Sequence, residues 1–198
     1  MKKVFALFAL LALVLCGCTA EAAPEMYIEP AQLSEEEEAV AKLLGADTDQ
    51  HLFDVVLDGT AKKMRTAIYE LVNGEWEVRS GGSMALDEDT AKGRMAFGFD
   101  DLRGEYREAL QFGKDFTAIK HGRAEEYDDT LGRGISFLSD RTEIVYGQEI
   151  PLAIQINTGL NKIVSYDPEY FFQPEAYEEL GYEYVYALTV TFSQEPLS

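Results

Sequence analysis

The chain has 198 residues and carries 17 Lys and Arg against 36 Asp and Glu, a formal net charge of −19. Nucleic-acid binding requires a basic surface that neutralises phosphates, so that class is excluded, as is adhesion to anionic lipid through surface charge. The length suits one ordinary domain.

Lys2 and Lys3 precede an apolar run from Val4 to Leu15. A spanning helix needs roughly 20 apolar residues. This run is too short, and its basic start and small-residue exit are those of a secretory signal. It closes on Leu15-Cys16-Gly17-Cys18, which resembles the signal peptide and lipobox of a bacterial lipoprotein. The resemblance implies cleavage before Cys18, acylation of its sulfur by palmitate-type chains, and a mature protein anchored to the cell membrane outside the cytoplasm. Each buried CH₂ contributes ~0.8 kcal/mol to partitioning, and two or more chains make the anchor stable. Cys16 follows the bulky Val14-Leu15 and fits the acylated position less well; it leaves with the leader. The alternative is an ordinary signal peptide cut after Ala20 or Ala23.

Residues 18–32, with Pro24, Pro30 and several acids, read as a flexible acidic tether. A short helix follows. Ser34 and Glu37 form a capping box, the run Glu35 to Glu38 places negative charge where the helix dipole favours it, and Val40, Leu43 and Leu44 make an apolar stripe that Gly45 ends.

Beyond Gly45 the pattern alternates. Phe53, Val55 and Leu57 lead to a turn at Asp58-Gly59. Ala67, Tyr69 and Leu71 lead to Asn73-Gly74, a strong hairpin signal, and Trp76 and Val78 continue past it. Further strands are expected at 83–86, 94–99, 105–112, 116–120, 135–138, 143–146, 152–157 and 182–192. Asp167 to Leu180 reads as helical, interrupted at Gln173-Pro174. Short runs separated by Gly, Asn and Asp predict an antiparallel β-sandwich with a short N-terminal helix, in a single domain over 33–198. The segments Tyr69 to Trp76 and Tyr186 to Phe192 are similar to those of uncharacterised β-rich lipoproteins of Firmicutes, a resemblance that implies no known activity.

Catalytic motifs are missing. With Cys16 and Cys18 in the leader and anchor, no cysteine nucleophile remains. Gly134-Ile135-Ser136-Phe137-Leu138 lacks the last glycine of a nucleophile elbow, so Ser136 is read as a strand residue. His51 and His121 have no histidine at zinc-motif spacing. Asp87-Glu88-Asp89 starts like a calcium loop but has Lys92 at the sixth position and Gly98 at the twelfth. Asp100-Asp101 and the acids between Glu125 and Asp129 are read as solvated loops. No metal or cofactor is expected. Tyr182, Tyr184 and Tyr186 share strand parity; they either pack a core or present an aromatic surface to a ligand. The expected function is a non-catalytic binding or interaction module for a glycan, peptide or protein. The alternative is a glycan- or peptide-active hydrolase using two carboxylates.

Overall fold

The computed structural model describes residues 26–43, 50–87, 90–122, 130–160, 162–164, 166–178 and 180–197. Its strands are β1 (Tyr27–Pro30), β2 (Gln50–Val56), β3 (Lys63–Val72), β4 (Glu75–Ala85), β5 (Lys92–Phe99), β6 (Tyr106–Phe112), β7 (Asp115–His121), β8 (Gly132–Phe137), β9 (Thr142–Glu143), β10 (Glu149–Thr158) and β11 (Tyr184–Ser193). Helix α1 spans Glu35–Leu43, a 3₁₀ turn covers Pro168–Phe172, and α2 is the short Glu175–Glu178. One sheet runs β7-β6-β5-β2-β1-β9 and the other β4-β3-β11-β10-β8, with antiparallel pairing throughout. The predicted mainly-β sandwich is the observed architecture.

Alternation explains the main core. On β6, Tyr106, Glu108, Leu110 and Phe112 are buried and the residues between them face outward. Phe53, Val55, Met95 and Phe97 do the same on β2 and β5, meeting Met64, Ile68, Leu152, Leu188 and Phe192 from the opposite sheet. Asn73 (φ 51°) and Gly74 (φ 81°) both occupy the left-handed region, the geometry a two-residue hairpin of the primed type demands.

The second sheet is covered on both sides. β10 and β11 read as nearly continuous apolar runs because alternate residues enter different cores. Leu188, Val190 and Phe192 face the first sheet, while Val185 and Ala187 join Ala67, Tyr69, Ile154 and Ile156 beneath Phe171 and Tyr177. The polypeptide from 168 to 178 is therefore a third layer over the outer face. The helical expectation for 167–180 resolves into two single turns parted at Gln173-Pro174, where the sequence is interrupted.

Three expectations are corrected. The tether assigned to 18–32 ends early: Tyr27–Pro30 is a strand held between β2 and β9, with Ile28 fully buried opposite Val55. Arg141 fixes its outer side, pairing with Glu29 at 2.9 Å and lying 3.8 Å over the Tyr27 ring. Residues 18–25 lie outside the described residues. The described part of the apolar stripe of α1 is not buried: Val40 and Leu43 are 56% and 86% exposed, and Leu44 is outside the described residues. The helix is held by its charges. Ser34 N–H donates to Glu37 at 2.8 Å, and Arg94 bridges Glu37 and Asp54. The strand expected over 143–146 stops at Glu143, because the chain turns through Gly147 (φ 80°), whose N–H donates to the Phe192 carbonyl.

Candidate functional site

A cleft of about 330 Å³ opens where the outer layer ends, between the start of β10 and the 3₁₀ turn. Glu143, Glu149 and Glu169 line it with Gln148, Phe172 and Gln173. Its shape depends on how the outer layer is pinned. Asp167 caps the 3₁₀ turn by accepting from Glu169 N–H at 3.1 Å, and Pro168 occupies the first position, where no N–H is needed. Trp76 stacks on Phe171 with ring centroids 5.0 Å apart and donates its indole N–H to the Phe171 carbonyl at 2.8 Å. Phe171 is thereby driven into the sheet. Its neighbour Phe172 is turned outward, 53% exposed at the cleft rim.

The three carboxylates differ. The Tyr69 hydroxyl donates to Glu149, and Arg65 stands 3.5 Å from the same oxygen. Burial, then the bond to Glu149, pushes the Tyr69 phenol above its ordinary value. Glu149 is thus a fixed, compensated wall. Glu143 and Glu169 have no ion-pair partner among the described residues and are exposed, so the cleft holds uncompensated negative charge beside an apolar ring.

Two polar clusters lie inside the sandwich instead. Arg103, buried, forks onto Asp101 with contacts of 2.8 to 3.2 Å, and Gln155 donates to Asp101 at 2.7 Å while accepting from Leu102 N–H at 2.8 Å. Asn157 adds a longer contact to Asp101 at 3.4 Å. Burial alone would raise the Asp101 carboxyl, but the bonds from Arg103 and Gln155 outweigh it and hold it below the usual range. The solvated-loop expectation for Asp101 is therefore corrected; Asp100 is exposed and pairs with Arg133.

The other cluster centres on Glu108, 4% exposed, which accepts from the Thr66 hydroxyl at 2.8 Å and lies 3.6 Å from His121 Nε2. His121 stacks on Tyr106 at 4.3 Å. Among the described residues the Tyr106 hydroxyl and His121 Nε2 have no hydrogen-bond partner that meets bonding geometry. Burial pushes Glu108 up, His121 down, and Tyr106 up to about 12.

The remaining sequence candidates are scattered. His51 stacks on Phe137, far in sequence from His121 and its partners. Ser136 sits mid-β8 opposite Ile154, as a strand residue should. Tyr186 is buried in the main core, whereas Tyr184 is 38% exposed. Asp87 faces Asp115. Cys18, Glu88, Asp89 and the acids from Glu125 to Asp129 lie outside the described residues. No group of three or more His, Cys, Asp or Glu among the described residues is arranged to hold a metal ion. Sequence reasoning missed both the cleft and the inward polar pair Gln155 and Asn157. The pair had no sequence signal: the parity of Leu152 would turn Ile154 and Ile156 inward, and only the register shift between Pro151 and Ala153 brings Gln155 and Asn157 to that side. Comparison with protein-family models, with curated proteins and with solved structures found no match to this chain.

Proposed function

We propose that this chain is a lipid-anchored protein of the cell envelope, held outside the cytoplasm through Cys18, and that it acts by binding a ligand rather than by catalysis. The observation that carries the binding reading is the half-exposed Phe172 over Glu143, Glu149 and Glu169 in one cleft. An aromatic face supplies an apolar platform, and carboxylates accept strongly from ammonium and hydroxyl groups. The shared chemistry is an amine on a short polar chain, whether an amino sugar of a glycan or a lysine of a peptide. A volume of about 330 Å³ is at the small end for ligand pockets, so one sugar or one side chain fills it.

A two-carboxylate hydrolase needs one acid held protonated at the scissile bond. Of the carboxyls held above their ordinary values, Glu108 sits between the sheets against Thr66 and His121 and Asp115 faces Asp87 at the start of β7; neither lines the cleft. Binding is the better-supported reading.

Calorimetric titration with a glucosamine oligomer, its N-acetylated counterpart and a lysine-bearing peptide tests the site. Binding is expected for an amine-bearing probe, with which of the two sets the source, and Phe172→Ala and Glu169→Gln should each weaken it about tenfold or more, roughly 1.4 kcal/mol. Unchanged affinity in both variants, or cleavage of a probe, would defeat the proposal. For the anchor, Cys18→Ala should release the protein from membranes or leave the precursor uncut. An unmodified native N-terminus at Ala20 or later removes that part.

A further inference from the structure

The sheet edges are not equally protected. β9 is two residues long. β8 has the 162–164 segment packed against it, with Ile163 touching the Gly134 position. β4 carries the charged Glu77 and Arg79, a register shift that leaves Arg79 unpaired, and Gly81 with φ 156°. Short length, cover, charge and bulges are the devices that keep edges from pairing. Among the described residues β7 has none of them along its centre; its charges, Asp115 and Lys120, stand toward its two ends. Its seven residues pair with β6 in unbroken register, contain no proline, and expose Phe116 (68%) and Ile119 (42%).

The β7 sequence is also complementary to itself. In the register with β6, Phe116, Ala118 and Lys120 share the outer face, while Asp115, Thr117, Ile119 and His121 share the face of the buried Tyr106, Glu108, Leu110 and Phe112. A two-fold axis perpendicular to the sheet keeps each face on its own side. Centred on Ala118, it sets Asp115 opposite His121, Phe116 opposite Lys120, and Thr117 opposite Ile119. An aromatic ring against a lysine and a β-branched pair stabilise cross-strand neighbours, and the Asp115 carboxylate meets an imidazole that can donate to it.

We propose that β7 is a self-association edge, on which a second copy of this chain pairs antiparallel about Ala118 and extends the six-stranded sheet into its neighbour. The formal charge of −19 on each copy opposes the contact, so association strengthens as salt screens the long-range repulsion.

The test is oxidative cross-linking of the full chain in membranes, where Cys16 and Cys18 are the native cysteines and the parent chain gives the baseline. Directly opposed residues of an antiparallel pair have Cα atoms about 4.5–5.5 Å apart, within disulfide reach. Ala118→Cys should therefore cross-link to itself at least tenfold above both the parent and Phe116→Cys, whose two copies stand about 14 Å apart along the strands. Adding Phe116→Lys, which sets like charges opposite Lys120, should abolish the Ala118→Cys dimer; adding Phe116→Glu should preserve it. If Ala118→Cys fails to accumulate, mixed chains carrying Phe116→Cys and Lys120→Cys read the same register. Equal cross-linking at 116 and 118, none above the parent, or capture of a different protein would overturn the proposal.

Discussion

Replacing Ile28 by alanine separates a strand from a tether. Ile28 is 0% exposed and belongs to the main core with Phe53 and Val55. Its strand closes the gap between β2 and β9. Truncating a buried isoleucine to alanine removes its transfer energy and leaves a cavity, about 2–5 kcal/mol together. That is a large share of a typical stability of about 5–15 kcal/mol. At roughly 2–4 °C per kcal/mol for a domain of this size, Tm should fall by about 4–20 °C. Urea unfolding followed by Trp76, the single tryptophan, is a suitable assay because Trp76 sits on the other sheet and reports loss of the whole fold. The midpoint should drop at unchanged slope. Val40→Ala, on the exposed side of α1, is the control and should change stability by less than about 0.5 kcal/mol. If Ile28→Ala behaves like Val40→Ala, residues 27–30 are a tether and the packing argument fails.

Three further outcomes follow from the polar groups. Asp101→Asn should cost about 3–5 kcal/mol in urea melts, because it removes the main counter-charge of the buried Arg103; a loss under about 1 kcal/mol would mean the pair is hydrated. Glu108→Gln keeps an acceptor for Thr66 but cannot ionise. Since burial raises the folded Glu108 above its ordinary value of 4.5, wild-type stability relative to this variant is complete below that value and declines as pH rises through the folded pKa, by up to about 1.4 kcal/mol per pH unit. His121 works in the opposite sense, losing stability as pH falls below 6.5, so the comparison is repeated in His121→Gln; a difference that stays flat between acid and neutral pH in both backgrounds refutes the assignment. Trp76→Phe should cost about 1–3 kcal/mol, the value of a buried carbonyl losing its donor, and should raise hydrogen exchange over 168–178 ahead of the sheets.

The fold was legible where local chemistry and burial agree. Asn73-Gly74 dictates its hairpin whatever surrounds it, and β6 alternates cleanly because one face meets the core and the other meets water. β1 was illegible for the opposite reason. A four-residue strand with one inward side chain, Ile28, has no period to detect, and Pro30 reads as linker although it occupies a strand end where no ladder N–H is required. The stripe on α1 misled because periodicity reports a capacity to pack, and the contacts that place this helix are Glu37 and Asp54 on Arg94. Asp101 was misread because two adjacent acids look solvated until a buried arginine two residues on is seen to fold back onto one of them.

The cleft had no sequence signature, since Glu143, Glu149, Glu169 and Phe172 come from three separate elements and meet only because the outer layer stops partway along β10. That origin sets how stability and binding are coupled. The anchor of the outer layer, the Trp76 indole on the Phe171 carbonyl, is remote from Ile28 and the first sheet. Losing Ile28 leaves the spacing between β10 and the 3₁₀ turn in every folded molecule but loosens β9, which pairs with β1 and carries Glu143, so affinity should fall only by the share that Glu143 contributes. Losing the Trp76 bond frees Phe171 and with it Phe172, so the platform must be ordered again each time a ligand arrives and affinity should fall while the sandwich persists. The aromatic rim of the cleft is therefore a property of the third layer, while β9 and β10 supply two of its three carboxylates.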